Sequence, residues 1–205
     1  DDHGAAGKLE QGILQRAVQP RQFWTLTRVD DLDALDVELL ARARFSIGMG
    51  LESGSPRMLG IIGKSRHPER YLDATLRLAS LAREHGLVWA ANVIVGHPGE
   101  TPESMRATAR FVERLYLEAP ETCGWLSVDP FRLYPGSGVH AEQDHYQAEH
   151  GTVFHAPAWW RGWYDHAFRA EWVDPSGALD YAGRVRGMHS LYGPLLERVQ
   201  GRFRG

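Results

Sequence analysis

The stretch at residues 46–64, SIGMGLESGSPRMLGIIGK, limits what this chain can become more than any other. Side chains alternate along a strand, so residues 46–52 place Ser46, Gly48, Gly50 and Glu52 on one face and Ile47, Met49 and Leu51 on the other. One face is hollow and ends in a carboxylate; the other is apolar enough to seat helices. Glycine inside a strand is costly unless something must approach the backbone closely, which predicts a small ligand against the hollow face. A Glu-Ser-Gly-Ser turn and a short helix follow, placing Glu52 at the carboxyl end of a strand, where parallel sheets bind ligands.

The neighbouring sequence repeats this strand-then-helix order. Residues 23–30 read as a strand, with Trp24, Leu26 and Arg28 on one side, and residues 33–44 as a helix. A second helix starts at His67-Pro68-Glu69, where proline suits the first helical position, and stops at Gly86. Residues 87–96 form the next strand. Thr101-Pro102-Glu103 opens another helix whose apolar stripe is Met105, Ala109, Val112 and Tyr116. Residues 125–134 are the last strand, with Pro130 marking an edge or a bulge. This alternation predicts an α/β fold with parallel strands and right-handed crossovers. Four strands cannot close a barrel, so the expectation is a partial, half TIM-like β/α barrel. Residues 12–18 are expected to be helical, and the helix from 179 to about 202 ends a mainly helical and irregular C-terminal extension.

Four motifs in order, GLESGSPRML, then Lys64, GHPGET and YPGS, resemble the second half of the radical S-adenosylmethionine (radical SAM) barrel, in the branch often joined to a cobalamin-binding domain. The resemblance covers roughly residues 1–138, leaving 139–205 as a Trp/His-rich extension expected to pack on the barrel. It implies that Glu52 holds the amino group or ribose of SAM and that Lys64 pairs with its carboxylate. Ser53 belongs to the same turn. Asn92 would face the ribose diol, with an amide that can both donate and accept. Gly96, Pro98 and Gly99 would form the wall on which adenine rests, and backbone groups around Leu133 and Tyr134 would flank it. Taken alone, the Gly96 turn also reads as a phosphate cradle at a helix amino end.

The resemblance further implies a [4Fe-4S] cluster, yet the Cys-x-x-x-Cys-x-x-Cys segment that would hold it is absent and Cys123 is the only cysteine. Residue 1 accordingly looks like a cut inside the barrel. The expected function is the C-terminal portion of a radical SAM enzyme, with SAM bound, the cluster on a missing N-terminal segment, and cobalamin as a possible further cofactor. That segment, or a partner, would cover the open sheet edge. The chain alone is expected to be inactive, with no proton-transfer residue assigned. The alternative is a non-catalytic degenerate barrel that serves as a ligand-binding or interaction module.

Other features read as structural. His145, His150 and His155 are five apart and do not share a helix face, so no metal site is assigned. Arg28 and Arg132 could pair with an acidic substrate or with Asp30 and Asp129, and the structural pairing is the expectation; His97 is expected to be a water-exposed turn histidine, and Cys123 to lie at a helix end. A net charge of −3 gives no reason to expect nucleic acid. No apolar run reaches the length of a membrane span, and no disulfide can form within the chain, so a cytoplasmic setting is expected.

Overall fold

The structure, a computed structural model, describes residues 22–118, 123–162 and 169–201; the helix expected at 12–18 lies outside them. Four parallel strands, β1 (Phe23–Thr27), β2 (Phe45–Glu52), β3 (Val88–Val95) and β4 (Cys123–Pro130), form one open sheet in the order β1-β2-β3-β4. The crossovers are α1 (Ala34–Arg42) after β1, α2 (Pro56–Ile61) and α3 (Pro68–His85) after β2, and α4 (Pro102–Glu118) after β3. This is the partial TIM-like barrel that the alternation predicts.

Local chemistry sets most of these boundaries. Asp33 caps α1 in a reciprocal capping box with Asp36, and the Ser55 side chain caps α2. Proline opens α3, and Gly86 closes it in the left-handed conformation at φ 71°. Pro130 ends β4, an edge strand, where its missing donor is harmless.

The helix-facing side of the sheet carries Ile47, Met49, Leu51, Trp89, Ala91, Val93, Val95 and Leu126, all buried in one core with the α3 and α4 stripes. The Trp89 and Tyr116 rings meet at 4.8 Å. The opposite face is the concave one, carrying Trp24 and Leu26 from β1, the Ser46-Gly48-Gly50 series, Asn92 and Ile94, and Ser127 and Asp129.

Four expectations need correction. The first strand ends at Thr27, not residue 30, because Val29–Asp31 forms a 3-10 turn while Arg28 reaches back to Asp30 and across to the Lys64 carbonyl. The last strand stops at Pro130, and Cys123 opens β4 where a helix end was expected. The final helix is interrupted: α7 (Tyr181–Gly187) passes through a π-helical turn, Met188–Tyr192, into α8 (Gly193–Gly201).

Before these come α5 (Gly138–Ala141), α6 (Gln143–His150) and a two-stranded antiparallel ribbon of β5 (Val153–Phe154) and β6 (Val173–Asp174). The extension packs on the half-barrel: Leu179, Tyr192, Leu195 and Val199 join the same core as β2 and β3. Among the described residues no helix is long and apolar enough to cross a membrane.

Candidate functional site

Two adjoining cavities open at the carboxyl ends of β2 and β3. The larger, an open cleft of about 650 Å³, is lined by residues that include Arg28, Gly50, Glu52, Lys64, Asn92 and Asp129. The smaller, about 300 Å³, lies behind it among Ser53, Met58, Ile62, His97 and Glu100; Glu52, Lys64 and Ile94 border both.

Glu52 does not reach the cleft by simple alternation. Strand pairing runs Gly50 to Asn92 and then Glu52 to Val93, so a bulge intervenes, and Glu52 adopts φ 63°. A left-handed glutamate is strained by roughly 1–3 kcal/mol and persists only where its surroundings enforce it. The bend folds the carboxylate back over Gly50: a Cβ there would lie 2.8 Å from Glu52 Oε1 and 3.1 Å from Lys64 Nζ. Lys64 Nζ donates to Glu52 Oε1 at 3.3 Å, with both side chains half-buried. The α2 helix that returns Lys64 to this rim is itself fixed by the Arg57 guanidinium donating to the Gly99 carbonyl at 2.7 Å.

The hollow expected along β2 is only half open. At Gly48 the space is filled by the protein's own Trp24 and Leu26, each with an atom 2.6 Å from where a Cβ would sit. Only the Gly50 end faces the cleft. There Asn92 sits on the rung between Gly50 and Ser127, and its amide makes no hydrogen bond among the described residues. Asp129 lies one rung higher, opposite Ile94, and accepts from the Ser127 hydroxyl. Glu52, Lys64 and Asn92 therefore converge on one cleft, and Asp129 joins them. Its strand parity with Ser127 was the available signal for including it.

Ser53 is buried and inward-turned, its hydroxyl pairing with Thr108 at 2.8 Å and accepting the Ser55 amide at 3.1 Å. The Gly96 turn is closed by its own acid. Gly96 sits at φ 85°, and its N–H donates to Glu100 Oε2 at 2.6 Å, while Ser104 donates to Oε1 at 3.1 Å. A carboxylate already occupies the amide that a phosphate cradle would offer, which removes that reading of the turn. Burial raises the Glu100 carboxyl to about 7, against the pull of its two donors. Gly99, at φ 87°, donates to the Pro175 carbonyl at 2.7 Å, and Pro98 is buried beside it.

His97 is not a water-exposed turn residue. Its ring lies edge-on to Phe131 at 4.9 Å and lines the smaller cavity, and burial lowers its pKa to about 4. The sequence signal for this pair was the spacing itself: an acid four residues after a left-handed glycine can close the turn on its own amide.

Leu133 and Tyr134 stand apart from the cleft. The Leu133 N–H donates to Ala170 at 2.9 Å, and its carbonyl accepts from the Trp159 indole at 2.6 Å. The Tyr134 carbonyl is engaged by Ser137, and its ring is exposed. Arg28 pairs with Asp30 as expected, whereas Arg132 pairs with Glu171 at 2.8 Å and not with Asp129. His145 and His150 sit on α6, and His155 bonds Asp174 at 2.8 Å.

Comparison with known proteins places these motifs. Residues 12–112 match the model of the Radical SAM superfamily. An uncharacterized methyltransferase of Pyrococcus horikoshii is 36% identical over 73 residues, which span 36% of this chain and 15% of that protein. A tRNA-2-methylthio-N(6)-dimethylallyladenosine synthase of Wolinella succinogenes is also 36% identical over 73 residues, spanning 36% of this chain and 16% of its own length. The chain thus covers about a sixth of these relatives. Among solved structures, the radical S-adenosylmethionine methyltransferase TsrM of Kitasatospora setae, with tryptophan substrate and a SAM analog bound, superposes with a TM-score of 0.50 at 23% identity, covering 67% of this chain and 27% of that one.

Proposed function

The chain carries part of a radical SAM domain, and from that premise we propose that the cleft over β2 and β3 is part of the SAM-binding wall of a radical SAM enzyme. The observation that carries the reading is the convergence of Glu52, Lys64 and Asn92 on one cavity at the strand ends. The residues fit the cofactor: an acid and an ammonium paired at 3.3 Å complement the two charges of an amino-acid zwitterion, and the unengaged Asn92 amide suits a diol.

SAM, once bound, would supply a sulfonium for methyl transfer or, given an electron from a cluster that this chain does not hold, for reductive cleavage. The chain's own residues bind and orient. Lys64 exchanges Glu52 for the ligand carboxylate, Glu52 exchanges Lys64 for the ligand ammonium, and neither half-buried charge is left alone. Asn92 holds the ribose, and Tyr71, whose hydroxyl donates to the Gly50 carbonyl at 2.8 Å, fixes the backbone beneath. The cluster does not fit this chain, since a single cysteine cannot supply three thiolates. In this reading its ligands come from further sequence or a partner. Cobalamin-assisted methyl transfer remains a branch of the same proposal.

Calorimetry tests it with two ligands: SAM, and 5′-methylthioadenosine, which keeps the nucleoside but lacks the amino acid. Glu52→Ala is expected to weaken SAM about tenfold or more while leaving methylthioadenosine nearly unchanged; Asn92→Ala is expected to weaken both. Equal binding by wild type and variants would remove the site assignment. A second reading, an interaction module, draws on the exposed inner-face side chains Trp24, Leu26 and Trp125.

A further inference from the structure

The C-terminal extension contains a buried cation with no carboxylate of its own among the described residues. Arg184, on α7, is 2% exposed, and its Nε has no hydrogen-bond partner among the described residues. Its stem is locked in place: Cδ and Cγ occupy the space where a Cβ on Gly96 would sit, so only glycine leaves room for it. The guanidinium carbon stands 4.8 Å from the centroid of the Tyr181 ring.

Besides the Tyr181 hydroxyl, which hydrogen-bonds it, the charged side chains acting on it are Glu171 and Arg132. Glu171 is already committed, since its Oε1 accepts from Arg132 Nε at 2.8 Å. Two guanidiniums therefore share one carboxylate, which leaves the cluster one positive charge in excess among the described side chains. Arginine does not escape burial by deprotonating, so a buried guanidinium with an unsatisfied Nε and only a shared carboxylate to balance it calls for an anion.

The location adds the second half of the case. Gly96 directly follows β3, and Arg132 lies two residues beyond β4, so both belong to the same carboxyl-end rim as the Glu52 cleft. Arg132 is a third exposed, giving the cluster an opening to solvent. A planar fork of donors is suited to two oxygens of one oxyanion.

We propose that Arg184, with Arg132 beside it, is an oxyanion-recognition site at the barrel mouth that takes a carboxylate or phosphate group of the substrate. The site does not depend on how SAM is bound, and its test uses neither SAM nor turnover.

Thermal unfolding of the 205-residue chain in chloride is compared with unfolding in sodium acetate and in sodium phosphate at matched ionic strength. One of the two oxyanions is expected to raise the midpoint saturably, and which one does so distinguishes a carboxylate from a phosphate. Arg184→Met, which keeps the stem against Gly96, should abolish the rise. Arg184→Lys should weaken the apparent affinity about tenfold, because a point charge replaces a fork. Glu171→Gln, which enlarges the positive excess, should tighten it, and this variant decides the matter if Arg184→Met does not fold. No saturable response in either wild type or Glu171→Gln, or an undiminished response in Arg184→Met, would overturn the assignment.

Discussion

Two titratable side chains three residues apart, His97 and Glu100, are displaced in opposite directions by the same burial. Glu100 keeps its proton to about pH 7 against an ordinary value of 4.5, so between those values the folded state binds more protons than the unfolded chain, and stability falls as pH rises. His97 titrates near 4 in place of 6.5, so between those values the unfolded chain binds more protons, and stability rises with pH. The slopes oppose each other from about 4.5 to 6.5. The wild-type melting temperature is expected to change little across that window. Glu100→Gln should expose a profile that rises with pH, and His97→Phe one that falls. A Glu100→Gln profile as flat as wild type would contradict the raised carboxyl. At the same scale, Gly96→Ala should be among the most damaging single changes, since a methyl group meets both φ 85° and the Arg184 stem. Loss of more than about 2 kcal/mol in urea unfolding is expected.

The element that matters most for the cleft is the β2-to-α2 turn, and it is held from across the sequence. Thr108 on α4 accepts the Gly54 amide at 3.1 Å and pairs with the Ser53 hydroxyl at 2.8 Å. Thr108→Val keeps the shape but leaves a buried N–H unpaired, at a cost of about 1–3 kcal/mol. Because that turn sets the strained Glu52, the proposed SAM site predicts that SAM affinity measured by calorimetry falls along with stability. Stability loss with unchanged affinity would separate the turn from the site. Element ends were legible wherever a local cap governs them, as at Pro68 and Gly86. They were not legible where a distant contact intervenes. The π-turn at Met188–Tyr192 lies where Tyr192 donates to the Met105 carbonyl at 3.0 Å, and Gly187 packs on the Met105 side chain.

For the whole molecule, the open sheet leaves an inner face that water should not favour. Trp24 is 48% exposed, Leu26 71% and Trp125 59%, and the two indoles meet edge-on at 5.8 Å across the concavity. Both edge strands also lack a partner on one side among the described strands. The chain by itself is expected to self-associate with rising concentration in sedimentation velocity runs, and the double variant Trp24→Glu, Trp125→Glu to shift toward monomer. A concentration-independent monomer would count against a covered inner face.

The amino-acid sequence by itself determined the alternation of strands and helices, the small-residue face of β2, and the placing of Glu52 and Asn92 at or near the carboxyl ends of neighbouring strands. These follow from periodicity, caps and parity, all set by residues close together in the chain. The bulge that turns Glu52 over Gly50 is instead enforced by distant contacts. Tertiary structure alone decided that Trp24 and Leu26 fill the space over Gly48, that His97 is buried against Phe131, that the extension engages the Leu133 backbone, and that Arg184 is sealed in beside a glutamate already taken. Each of those outcomes joins segments far apart in the sequence, where burial and charge balance depend on neighbours that no local pattern specifies.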